Sequence, residues 1–128
     1  MRADLHLHSY YSDGSESPAG VVARARAAGL ALIALTDHDS MGGVGEAAET
    51  ARELGVELVR GAEFTAMLHG AEIHILGYFP SEPNEVVRAH LAHMQAERRK
   101  RLQTALERLR TRGIELDSRA LPVASASS

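Results

Sequence analysis

The stretch Leu30-Ala31-Leu32-Ile33-Ala34-Leu35-Thr36-Asp37-His38-Asp39 decides how this 128-residue chain is read. An apolar run this short, bounded by chain breakers, predicts a buried strand. It leads directly into Asp37-His38-Asp39, three residues that can bind a cation. α/β folds place their ligand sites at the carboxyl ends of strands. The plainer reading of the same residues is a polar strand-to-helix turn, with Asp39 or Ser40 capping the next helix.

Working outward from this stretch gives a regular alternation of elements. Upstream, Arg2 to Leu7 reads as a short strand, followed by a polar loop from Ser9 to Ser17 that contains the turn dipeptide Asp13-Gly14. Ser17-Pro18 starts a helix, Ser17 as the cap and Pro18 at the first position, and Gly29 stops it after Ala28. Downstream, Gly42 to Leu54 predicts a second helix that ends at Gly55. Val56 to Thr65 and Ala71 to Phe79 predict two more strands around Leu68-His69-Gly70. This order implies an α/β fold with a mainly parallel sheet or barrel. A long helix is then expected from Glu82 to Arg112, with Val87, Leu91, Met94, Leu102, Ala105 and Leu109 on one face and Gly113 as its stop. The expected organisation is residues 1–81, a helical segment 82–114 and a poorly ordered tail 115–128.

Composition narrows the function classes. The length suits one domain with a core. The net charge of -3 does not favour a chain built as a whole to attract nucleic acid or anionic membrane. With no cysteine, thiolate sites and disulfides are impossible, so any metal must sit on His, Asp or Glu. The lack of cysteine fits a cytoplasmic protein. No signal peptide or membrane span is expected. With no Trp and 4% aromatics, a base-stacking platform is not expected.

Candidate chemistry falls in four places. His6 and His8, two apart on a strand, point to one face and can converge on one cation, with Asp4 beside them to orient a ligand. Taken alone, such a pair is more often two satisfied core histidines. His38 lies between two acids. Glu63, in Gly61-Ala62-Glu63, is a carboxylate at the end of an apolar strand, costly to bury without a partner. Read alone it can equally be a surface residue of an edge strand. His74, in Ile73-His74-Ile75, is by itself most simply a lone core histidine. Asp13 adds a carboxylate in the first loop. Imidazole and carboxylate donors suit zinc, manganese or iron. His90 and His93 read as a solvated helix face, and His69 as a turn residue.

The ordered set Asp4-Leu5-His6-Leu7-His8-Ser9, Ser12-Asp13-Gly14, Thr36-Asp37-His38-Asp39, Gly61-Ala62-Glu63 and His74-Ile75-Leu76-Gly77-Tyr78 resembles the polymerase and histidinol phosphatase (PHP) superfamily, over roughly residues 2 to 114. The resemblance is nearest to its stand-alone phosphoesterases. It implies a distorted (βα)7 barrel, present here as an incomplete N-terminal part. The helix carrying Glu97-Arg98-Arg99-Lys100-Arg101 resembles the family's inserted helical subdomain.

The resemblance also implies two or three divalent metal ions, zinc, manganese or iron. His6, His8 and Glu63 would hold one; Glu63 would bridge to a second shared with His74; Asp13 and His38 would hold a third. His38 or Asp39 would assist proton transfer, and Arg98, Arg99 or Arg101 would grip a substrate phosphate. The implied activity is hydrolysis of phosphate esters of small nucleotides, of the 3',5'-bisphosphate type, or of short RNA from its 5' end. The family's later ligands, an Arg-Pro-His-like run and an Asp-x-His pair, have no counterpart here. The competing expectation is therefore a metal-binding half-domain without turnover, able to self-associate through exposed strand edges.

Overall fold

The computed structural model describes residues 1–121. The chain divides into two compact units, Met1–Pro83 and a second that begins at Asn84. In the first unit β1 (Ala3–Leu7), β2 (Leu32–Leu35), β3 (Glu57–Leu68) and β4 (Ala71–Phe79) form one sheet in the order β1-β2-β3-β4. β1 pairs with β2, and β2 with β3, in parallel; β3 and β4 are antiparallel. The sheet curls into half a barrel: Tyr78 of β4 donates a hydrogen bond of 2.8 Å to the carbonyl of Leu5 on β1, at the opposite edge.

Helix α1 (Pro18–Ala27) starts where the sequence predicts. Ser17 accepts a hydrogen bond from the Gly20 N–H at 3.0 Å, and Pro18 fills a first-turn position that needs no donor. Helix α2 (Val44–Leu54) begins two residues later than expected and has no side-chain cap. Neither Asp39 nor Ser40 caps it: Ser40 Oγ accepts from the Gly42 N–H and Asp39 faces β3. Gly55, at φ 68°, ends α2 in the left-handed conformation that glycine adopts at no steric cost. α1 and α2 pack on the sheet through Val21, Val22, Ala25, Ala47 and Ala51 against Ile33, Leu35 and Val56. The small residues of α2 let the helix approach closely, and burial of this apolar cluster is the main stabilising term for the unit.

β3 is longer than the sequence predicts, because its second half pairs with β4 in a hairpin. His69 and Gly70 both have positive φ, 50° and 80°, as a two-residue hairpin turn of matching twist requires. Glu63 therefore lies inside a strand and not at its end. Its parallel neighbour β2 ends at Leu35, and one further parallel bridge, His38 to Glu63, carries the pairing on beyond it.

The second unit holds α3 (Glu85–Arg110). It begins three residues later than expected, because Pro83 keeps the residue before it out of helical geometry. Asn84 caps it by accepting from the Val87 N–H at 3.1 Å. Leu91 is buried, and Val87, Met94, Leu102, Leu106 and Leu109 are half-buried at helical spacing. Ser118–Ala120 form a short 3-10 turn capped by Asp117, an ordered piece of the segment expected to be a loose tail. The remainder of that expectation, residues 122–128, lies outside the described residues. Among the described residues no helix is long and apolar enough to cross a membrane.

Candidate metal centre

β1 and the residue directly after it deliver the first two imidazoles. Leu7 turns towards the core while His6 and His8 share the other face, as strand geometry dictates. Their rings lie 5.0 Å apart. Glu63 of β3 meets both with a single oxygen: its Oε2 is 2.9 Å from His6 Nε2 and 3.0 Å from His8 Nε2. Asp4 touches neither ring. It accepts a hydrogen bond from the His6 backbone N–H instead.

The segment after β2 brings His38. Glu63 N–H donates to the Asp37 carbonyl at 3.0 Å, and Asp39 N–H donates to the Glu63 carbonyl at 2.9 Å, so backbone pairing sets His38 beside Glu63. His38 Nδ1 lies 3.7 Å from Glu63 Oε2. Its Nε2 lies 3.3 Å from Asp13, which reaches in from the first loop. His74 of β4 approaches the other Glu63 oxygen, with Nδ1 3.4 Å from Oε1, while its Nε2 lies 3.0 Å from Glu72. The four rings form an arc, with spacings of 4.7 Å from His8 to His38 and 4.8 Å from His38 to His74.

Glu63 is only 6% exposed. Burial pushes its carboxyl up, but the His6 hydrogen bond and the neighbouring charges of His38, His6 and His8 outweigh that and hold it below the usual carboxylate range. Neither plain reading of these residues survives: Glu63 is no surface residue of an edge strand, and the half-exposed His74 is no core histidine.

Three groups of donor atoms converge closely enough to hold a cation: His6, His8 and Glu63; His8, Asp13 and His38; His38, Glu63 and His74. The set fits a divalent metal chemically, since borderline imidazole and hard carboxylate donors are combined and cysteine is absent. His8 presents Nε2 to Glu63 and Nδ1 to Asp13 at 3.1 Å. A neutral imidazole can give a metal one nitrogen and donate a proton from the other, so this geometry would let His8 offer Nε2 to a cation in the first group while Asp13 orients the ring through Nδ1.

The side chains that hold this arrangement were not assigned that role from the sequence. Asp37 is 1% exposed and accepts three hydrogen bonds: from Ser9 N–H at 2.6 Å, Ser9 Oγ at 2.7 Å and Ser12 Oγ at 2.7 Å. It thereby latches the loop that carries His8 and Asp13 to the end of β2. Ser12 Oγ also lies 3.3 Å from His8 Nδ1. Gly14 completes the loop, since a Cβ there would lie 2.5 Å from the His8 carbonyl oxygen. Asp39 is fully buried at φ 48° and accepts from Thr65 N–H at 2.8 Å and Thr65 Oγ1 at 2.7 Å. Arg98, Arg99 and Arg101 lie on α3 in the second unit, Arg98 half-buried and the other two exposed. His90 and His93 belong to none of the three donor groups.

Comparison with known proteins gives the family. The PHP domain matches residues 4–114. A 5'-3' exoribonuclease of Haemophilus influenzae is 40% identical over 111 residues, covering 87% of this chain and 40% of its own length. A 3',5'-nucleoside bisphosphate phosphatase of Chromobacterium violaceum is 40% identical over 117 residues, covering 90% of this chain and 38% of its own. The chain thus spans about two fifths of the length of these relatives. Among solved structures, a Chromobacterium violaceum amidohydrolase with bound sulfate and no metal superposes with a TM-score of 0.81 at 34% identity, covering 100% of this chain and 46% of that one. A Bifidobacterium adolescentis protein assigned as a metal-dependent phosphoesterase superposes with a TM-score of 0.79 at 34% identity, covering 86% and 39%. On sequence, fold and site geometry together, the chain belongs to the PHP domain family and forms part of a PHP barrel.

Proposed function

We propose that this chain supplies the N-terminal ligand set of a metal-dependent phosphoesterase acting on small phosphorylated nucleotides, of the 3',5'-bisphosphate type, or on the 5' ends of short RNA. The observation that carries the proposal is the division of Glu63: Oε2 faces His6 and His8, and Oε1 faces His74. A buried carboxylate with its two oxygens directed at different imidazoles is suited to lie between two cations. His6, His8 and Glu63 would hold one, Glu63 and His74 a second, Asp13 and His38 a third, as manganese, zinc or iron.

Bound divalent cations supply Lewis acidity, which offsets phosphoryl charge and acidifies water. The chain's own residues orient the site. Asp37 fixes the loop of His8 and Asp13. Of the two residues considered for proton transfer, His38 presents its ring to the site, whereas Asp39 has both oxygens engaged by Thr65 and keeps β3 in register. Arg99 and Arg101 are exposed guanidiniums of the kind that binds phosphate.

The test is hydrolysis of adenosine 3',5'-bisphosphate with added manganese. Manganese-dependent release of phosphate, abolished in His8→Ala, is the expected result. No turnover by the parent chain with manganese, zinc or iron, together with no binding of any of the three, would overturn the proposal for this chain.

A further inference from the structure

The charges of this chain are segregated along its length. Residues 97–112 carry seven Lys and Arg against two Glu, a net +5, whereas the other residues carry seven Lys and Arg against fifteen Asp and Glu, a net -8. An overall charge of -3 hides this division. The cations of α3 are also ordered in space. Lys100, Arg101, Arg108 and Arg112 line one open groove along the helix and the turn after it, together with Thr104, Thr111 and one carboxylate, Glu97. Arg101, Arg108 and Arg112 fall on one flank because their spacings are close to whole helical turns. Arg101 to Arg108 spans roughly 10 Å of helix axis at about 1.5 Å per residue.

None of these four cations is ion-paired with a carboxylate among the described residues, and all four are exposed. The helix dipole accounts for basic residues in the last turn, such as Arg108 and Arg110. It does not account for Lys100 and Arg101, two turns further in. A row of unpaired cations of this length is matched by several successive phosphates and not by one.

We propose that this stripe of α3 is a binding track for the phosphate backbone of single-stranded RNA. The proposal deepens the nucleotide reading above and rests on it for the choice of RNA. Recognition is sequence-independent, because α3 carries no Trp, Tyr or Phe on which a base can stack. A membrane surface fits less well. A helix lying on lipid needs exposed apolar residues beside its cations, and here Leu102, Leu106 and Leu109 are half-buried.

The experiment measures binding of a labelled, 5'-phosphorylated oligoadenylate of about 12 nucleotides, a length within known single-strand site sizes, by fluorescence anisotropy over a salt series. The full chain is used in EDTA, so that the metal centre plays no part. Three to four phosphate contacts predict a slope of log K against log salt of about -2 to -3. The variant Lys100→Gln/Arg108→Gln/Arg112→Gln, with helix content verified by circular dichroism, should reduce the magnitude of that slope by about 2. It should retain any manganese-dependent turnover of adenosine 3',5'-bisphosphate. A variant with unchanged affinity and slope would overturn the proposal. So would binding to phosphatidylserine–phosphatidylcholine vesicles without binding to RNA. Loss of mononucleotide turnover in the parent chain leaves this measurement intact, so the two readings fail separately.

Discussion

Replacement of Asp37 by Ala removes the acceptor that ties the Ser9–Asp13 loop to the end of β2. Three hydrogen bonds are lost, and the Ser9 N–H and hydroxyl are left without that acceptor in a residue that is 0% exposed. A hydrogen bond to a charged group contributes about 1.5–3 kcal/mol and an unsatisfied buried donor costs about 1–3 kcal/mol. The two figures overlap and the loop can relax, so the expected loss is about 3–5 kcal/mol, below the plain sum of three such bonds. Asp37→Asn keeps the shape and one acceptor oxygen, which weakens two bonds and reverses a third, for a loss of about 1.5–3 kcal/mol. Urea unfolding followed by circular dichroism measures both variants. Manganese titration by calorimetry on Asp37→Asn, which should remain folded, reads the effect on the site. Affinity should fall about 10–100-fold, as for other residues that orient metal ligands. If Asp37→Ala costs under about 1 kcal/mol, the scale of an ordinary surface change, and Asp37→Asn binds manganese as the parent does, then the latch has no role in building the centre.

Gly14→Ala forces a Cβ to within 2.5 Å of the His8 carbonyl oxygen; overpacking of this kind costs about 1–3 kcal/mol, which thermal unfolding would detect. Thr65→Val deletes the hydroxyl that Asp39 accepts from at 2.7 Å; a loss of about 1–3 kcal/mol is expected, and a neutral result would show that Asp39 does not depend on Thr65. The Glu63 carboxyl sits below its ordinary range in the folded chain. The unfolded chain therefore takes up the proton first as pH falls. The stability Glu63 contributes is complete above about pH 4.3, the ordinary glutamate value, and is lost as pH falls through the lower folded value. In metal-free protein, Glu63→Gln should flatten the stability curve below that pH, and parallel curves for variant and parent would contradict this.

Much of the centre was readable in local sequence because its signals are local. His6 and His8 share a face by the two-residue period of a strand. Ser17-Pro18 marks a helix start through cap chemistry, and an apolar run ending in Thr36-Asp37-His38-Asp39 marks a strand end. What was not readable depends on contacts distant in sequence. Asp37 meets Ser9 across 28 positions, and no motif announces that pairing. Asp39 carries two readings, helix cap from its local place and proton carrier from the family resemblance. Its place against Thr65 follows from the pairing of the segment after β2 with β3, which only the assembled sheet defines. The mid-strand position of Glu63 was missed for the same reason, because the extension of β3 to Leu68 depends on its hairpin partner β4. The charge division of α3, by contrast, was present in the sequence but obscured by averaging over the whole chain.

The central claim is that Glu63 joins two cation sites. Anomalous scattering from crystals of the full chain grown with manganese or zinc tests it most directly. The account predicts one peak within coordination distance of Glu63 Oε2, His6 and His8, and a second beside Glu63 Oε1 and His74. Crystals that contain the metal but show no peak at either Glu63 oxygen would contradict it.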